Sequence, residues 1–196
     1  GAARGLGRFG QTLPVMRPQD HGRSTAELAL RWRDRGVGGV DLAGPEAGFG
    51  PDRHTKALRR LRRAHLPVTI HAGEGDGPGS VADALHVGGA TRIGHGARLI
   101  EDVALGEQTA DDPWGLEGAR LGVLAHWVRD QQVPLELCPT SNVHTGVAAS
   151  VARHPVTPLL RLGFAVTVST DNRLMSATSI TDELWELVEQ AGRALG

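Results

Sequence analysis

Five apolar runs of strand length alternate along the chain with amphipathic segments, and each run turns polar at its carboxyl end. The runs are "GGVDLAG" (38–44), "VTIHAG" (68–73), "RIGHG" (92–96), "LELCPTS" (135–141) and "AVTVSTD" (165–171). A weaker sixth, "TLPVM" (12–16), contains Pro14, which argues against a place in the middle of a sheet. The spacing predicts helices over 24–36, 53–65, 80–89, 117–130 and 180–195. In the second of these Leu58, Leu61 and Ala64 share one face, with the arginines of 59, 60, 62 and 63 opposite as a solvated surface. The last has Thr181 as its expected N-cap. Parallel strands need long crossovers, usually helical, so this alternation predicts an α/β fold with a parallel sheet.

The polar residues define one edge of that sheet. The first strand carries Asp41, with Glu46 in the loop after it; the second gives His71 and Glu74, the third His95, the fourth Ser141 and Asn142, and the fifth Asp171. In parallel α/β folds the carboxyl ends of the strands form the active face. Imidazole and carboxylate gathered there, with acid/base groups to spare, are the inventory of a metal-assisted hydrolase.

Composition removes several other classes. A net charge of -1 gives no bulk attraction to nucleic acid or to an anionic membrane. No apolar run is long enough to span a bilayer, and the opening "GAARGLGRFGQ" has no signal-peptide core. Cys138 is the sole cysteine, which excludes an internal disulfide and fits a reducing cytoplasm. It is expected to pack in the core, as are Trp32, Trp127 and Trp185. The acidic stretch 106–113 reads as a solvated loop before a helix, whereas His144 and His154 fit either pocket or surface.

"HAGE", "RIGHG", "LELCPTSN" and "STDN" follow "VDLAGPE" in order, and together they resemble the adenosine deaminase family of amidohydrolase-like (β/α) barrels. The likeness runs from about residue 24 to the end. It implies a single partial barrel domain over 1–196, an incomplete TIM-like (β/α)8 barrel holding roughly the last five or six β/α units. It also implies zinc-dependent hydrolysis of adenosine and deoxyadenosine to inosine and ammonia. By the same resemblance His71 and Asp171 are zinc ligands, and Glu74 protonates the purine ring. His95 orients the attacking water and helps to deprotonate it. Gly44 offers its backbone N–H to purine N3, and Asn172 stands where the family commonly has an aspartate that contacts N7.

Two departures shape the remaining expectations. No two of the nine histidines are two apart, so the family's His-x-His zinc pair is absent. A barrel of this class also needs eight strands and about 250 residues. The natural protein is therefore expected to be longer, with the missing strands N-terminal and further helix C-terminal. Two other functional readings stay open. One is a non-catalytic or truncated deaminase-like binding protein without a complete metal site. The other is a related deaminase acting on adenine, AMP or another aminopurine. The expected partner is a purine nucleoside, with no nucleic acid or membrane and no identified partner chain.

Overall fold

A computed structural model describes residues 10–191. Within them all six runs form strands, and the six make one parallel sheet. The elements run β1 (Gln11–Met16), α1 (Gly22–Trp32), β2 (Val37–Ala43), α2 (Thr55–Arg63), β3 (Val68–Ala72), α3 (Pro78–His86) and β4 (Arg92–His95). Two short strands follow, β5 (Val103–Ala104) and β6 (Arg120–Leu121), antiparallel to each other. The chain continues with α4 (Val123–Asp130), β7 (Leu135–Leu137), α5 (Pro139–His144), α6 (Val156–Arg161), β8 (Val166–Val168), α7 (Arg173–Ser176) and α8 (Ile180–Glu186). The sheet order is β1-β2-β3-β4-β7-β8, so each strand lies beside its predecessor in the sheet. This is the strand order of a (β/α) barrel wall. Pro14 fits because β1 has a sheet neighbour, β2, on one side only, where an unpaired position is tolerated.

Packing follows from alternation along each strand. Leu42, Ile70, Ile93, Leu135 and Leu137 are fully buried. The helices close over them with small and branched residues: Ala26 and Ala29 of α1, Leu58 and Leu61 of α2, Val81 and Ala84 of α3, Ala125 and Val128 of α4. The arginine face of α2 is exposed, as expected, and Arg60 reaches Glu27 of α1 at 3.2 Å. Truncating the middle of the sheet should be costly. Ile93→Ala is expected to lower the unfolding free energy of the intact protein by about 2–5 kcal/mol, read from its denaturant midpoint.

The structure corrects several boundaries. The run 135–141 is not strand throughout, because Pro139 opens α5 at the position where a missing N–H costs nothing. Ser141 and Asn142 therefore reach the active edge on a helix. The helix expected from 117 starts at Val123, since Arg120–Leu121 pairs with Val103–Ala104. Asp102 sets that start by accepting the Ala125 N–H at 2.7 Å on its carboxylate and the Gly122 N–H at 2.6 Å on its carbonyl. Ser179, not Thr181, caps α8, in a reciprocal box with Asp182. The helix runs on as a π-turn over Leu187–Ala191. The rest of the run expected over 180–195, and the opening "GAARGLGRF", lie outside the described residues. Trp32, Trp127 and Trp185, expected to pack in the core, are all exposed, while Trp114, in the loop that follows the solvated acidic stretch, is buried. Among the described residues no helix is long and apolar enough to cross a membrane.

Candidate active site

The parallel sheet brings the functional side chains together. His71 lies opposite Gly94 and Ala72 opposite His95, a register that by strand alternation alone would send the two imidazoles to opposite faces, and the left-handed turn of the chain at His95 brings them side by side at the ends of β3 and β4. Their ring centroids are 5.0 Å apart, edge to face. Only glycine fits at position 94, where a Cβ would come 2.6 Å from His71 Cδ2. His95 itself turns out of its strand at φ 62°, a conformation non-glycine residues rarely hold, and Asp171 does the same after β8 at φ 53°. The tertiary structure fixes both rather than local preference.

The chain then folds back so that Glu74 meets His95. Glu74 Oε2 lies 3.3 Å from His95 Nε2. Its other oxygen accepts from Asn142 Nδ2 at 3.3 Å and from the Thr145 hydroxyl at 3.1 Å. The turn carrying Glu74 is held from below by Glu46, whose carboxylate accepts four donors. These are the N–H groups of Gly73 (3.0 Å), Glu74 (2.9 Å) and Gly75 (2.9 Å) and the Ser80 hydroxyl (2.7 Å). Gly73 takes φ 69°, and a Cβ there would meet Val81 at 2.8 Å and Gly96 at 3.2 Å. Its glycine serves helix and strand packing beneath the turn. Arg17, buried at the end of β1, donates to the carbonyls of His71 and Phe49 and so fixes the same strand end from the other side.

Charge tunes the two histidines in opposite directions. Burial disfavours protonated His71. The hydrogen bond from its Nε2 to Asp41 Oδ2 (3.2 Å), with the charges of Asp41, Asp171 and Glu74, outweighs burial and raises its pKa. His95 is pushed down, because burial exceeds the pull of Glu74 and His71 adds repulsion. Cys138 lies buried, with its thiol pKa raised chiefly by burial, and is no nucleophile.

His71, Glu74 and His95 each offer a ligand atom, and those atoms lie within 4.8 Å of one another. Nitrogen and oxygen donors of this kind suit zinc. One carboxylate oxygen of Asp41 is buried with no hydrogen-bond partner beside His71, which also fits a cation nearby. Asp171 stands outside that trio. It accepts from the Ser141 hydroxyl at 2.7 Å, and its charge acts on both histidines. Asn172 uses its side-chain oxygen to cap α7, taking the N–H groups of Leu174 and Met175, which leaves its amide nitrogen as the donor. Gly44 ends β2 at φ 99°, packed against Met16.

Asp41 and Glu46, expected at the active edge without an assigned role, and His154, expected in either pocket or surface, lie at this site, as do Arg17 and Thr145, which were not expected there. His154 is fully buried and donates to Asn142, whereas His144 is exposed. For Glu46 a signal was present: a carboxylate just past a strand end, in a fold whose next strand ends in a glycine-rich turn full of free N–H groups.

Known proteins place this geometry. The adenosine deaminase family model matches residues 8–194. The adenosine deaminase of Mycobacterium ulcerans is 48% identical over 181 residues, which are 92% of this chain and 48% of that protein. Among solved structures, the adenine deaminase of Arthrobacter aurescens superimposes with a TM-score of 0.76 at 25% identity, over 91% of this chain and 49% of that one. Arabidopsis ADAL in complex with IMP gives 0.75 at 23% identity, over 92% and 47%. The chain thus spans about half the length of the curated relatives it matches. The strand-end histidines, the acidic turn between them and a family match across nearly the whole sequence lead to one assignment: this chain belongs to the adenosine deaminase family.

Proposed function

We propose that the intact protein hydrolyses the amino group of adenosine and deoxyadenosine, releasing inosine or deoxyinosine and ammonia. One observation carries this reading: His71, Glu74 and His95 converge at the carboxyl edge of a parallel sheet in a chain of this family. His71 and Asp171 would hold a zinc ion. Two protein ligands fall short of the three or four that zinc usually takes, and we assign the remainder to the part of the family's length that this chain does not span. Bound zinc supplies Lewis acidity and a water acidified toward neutral pH.

The chain's own residues would do the rest. Glu74 donates a proton to ring nitrogen N1 and leaves the amino-bearing carbon electron-poor. His95 hydrogen-bonds the attacking water and steers it to that carbon; one of the water's protons goes to the amino nitrogen, which leaves as ammonia as the C–N bond breaks, and the other returns to the Glu74 carboxylate. The Gly44 N–H and the Asn172 amide nitrogen donate to N3 and N7 and orient the base. An amide can donate to N7 without being protonated, so Asn172 serves where the family commonly has an acid. The chain, expected to be a single partial barrel domain, would act as one unit in this scheme, because the site draws on residues from β2 to α7.

The reading is tested on the full-length protein by metal analysis together with a substrate panel. Expected are one zinc per chain and loss of the adenosine absorbance band, with adenine and AMP turned over at least about 10²-fold more slowly. Faster turnover of adenine would favour the chemistry named for the Arthrobacter aurescens relative, and stoichiometric zinc with no turnover of any aminopurine would overturn the proposal.

A further inference from the structure

Behind the His95–Glu74 pair three groups stand in line, and the first has a fixed polarity. The backbone N–H of Val156, at the start of α6, can only donate. It donates to His154 Nδ1 at 3.0 Å. That nitrogen therefore carries no proton. His154 is fully buried, and burial, with the field of His95 added, lowers its pKa to about 4. At neutral pH the ring is uncharged, with its one proton on Nε2.

Each later group inherits its orientation from the one before. His154 Nε2–H donates to Asn142 Oδ1 at 3.0 Å. This fixes which way round the Asn142 amide lies, a choice that an isolated amide leaves open. Its NH2 group then has one hydrogen for each of two acceptors, His95 Nδ1 at 3.1 Å and Glu74 Oε1 at 3.3 Å. An amide nitrogen cannot accept, so His95 Nδ1 must. The His95 proton is thereby confined to Nε2, 3.3 Å from Glu74 Oε2.

We propose that Val156 N–H, His154 and Asn142 form a positioning relay that holds His95 as its Nε2–H tautomer and leaves Oε2 of Glu74 as the proton-carrying oxygen. Oε1 is occupied by donors from Asn142 and Thr145. Oε2 can accept from His95 Nε2–H while holding a proton of its own for the purine ring. The single N–H of His95 is thus a donor that polarises the acid and is shared with the attacking water when it arrives, and the ring takes no proton in the resting enzyme. Asn142 and His154 touch neither substrate nor metal in this scheme and act through His95 and Glu74. The proposal rests on the reading that Glu74 gives its proton to the purine ring and that His95 orients the water that attacks it.

Long-range 1H–15N correlation spectra of the zinc-loaded, full-length protein, labelled at histidine, test it without any substrate. His95 and His154 are both expected as Nε2–H tautomers. Asn142→Asp removes the donor to Nδ1, so the His95 proton is expected to move to Nδ1. His154→Leu is expected to lower kcat by about 10²-fold with KM within a few-fold. His154→Gln, whose amide can accept from Val156 and donate to Asn142, is expected to restore most of that rate. Should Asn142→Asp fail to fold, the wild-type spectrum and the His154→Leu and His154→Gln pair still decide. A wild-type His95 already protonated on Nδ1, or no recovery in His154→Gln, overturns the relay. The spectra do not depend on turnover, so a protein with the expected tautomers that deaminates nothing would reject the function and keep the relay. An active protein with His95 protonated on Nδ1 would do the reverse.

Discussion

Glu74→Gln in the intact protein is expected to lower kcat for adenosine by about 10²–10⁴-fold, the usual worth of a positioned general acid, with zinc content unchanged. Glutamine keeps the shape of the side chain and an oxygen to accept from Asn142 and Thr145. It cannot deliver a proton to a ring nitrogen. Metal content matters as much as rate, because Glu74 is one of the three residues whose ligand atoms cluster within 4.8 Å. If Glu74→Gln loses both zinc and activity, Glu74 belongs to the metal shell and the acid must be sought elsewhere. If activity survives, Glu74 has no place in the chemistry. Retained zinc with lost turnover, measured by metal analysis and steady-state kinetics on the same sample, is the outcome that fits the acid role.

What could be read from the sequence divides along a physical line. Strand cores were legible because burial demands runs such as "VTIH" and "RIGH", and the edge they point to follows from parallel topology. Residues whose side chains end a strand were legible for the same reason, and His71 and His95 do lie side by side. The partners of residues that act on backbone were not. Glu46 was legible as an active-edge carboxylate, but Glu46, Asp102 and Arg17 bind N–H or carbonyl groups of segments far away in the chain, and no local pattern encodes which ones. Asn142 was visible as a polar residue near a strand end. Its role came only from a helix start at Pro139, which turned the expected strand 135–141 into strand plus helix. His154 gave no signal, since a buried histidine and a surface one look alike without the contacts that hold them.

Glu46 offers the sharpest test of how much such backbone anchors contribute. Its carboxylate is nearly buried and faces three N–H groups of one turn and the Ser80 hydroxyl, so both oxygens are fully used. Removing it leaves several donors without a partner, a penalty of about 1–3 kcal/mol for each that stays buried. The turn is then free to relax, and Glu74 with it. Glu46→Ala is expected to lower kcat by about 10²-fold with KM changed only a few-fold, since a displacement on the order of 1 Å at a catalytic group costs that much. Glu46→Gln should fall between Glu46→Ala and the wild type. The amide oxygen still accepts one pair of N–H groups, while the amide nitrogen can donate to the Ser80 hydroxyl but confronts the Gly73 N–H as donor against donor. Because the hydrogen bonds of Glu46 go to backbone N–H groups and Ser80, its loss should leave zinc content intact, which separates it from a change at His71 or Asp171. A Glu46→Ala protein turning over at the wild-type rate would mean that the packing of Gly73 against Val81 and Gly96 holds the turn by itself, and that the carboxylate adds nothing to catalysis.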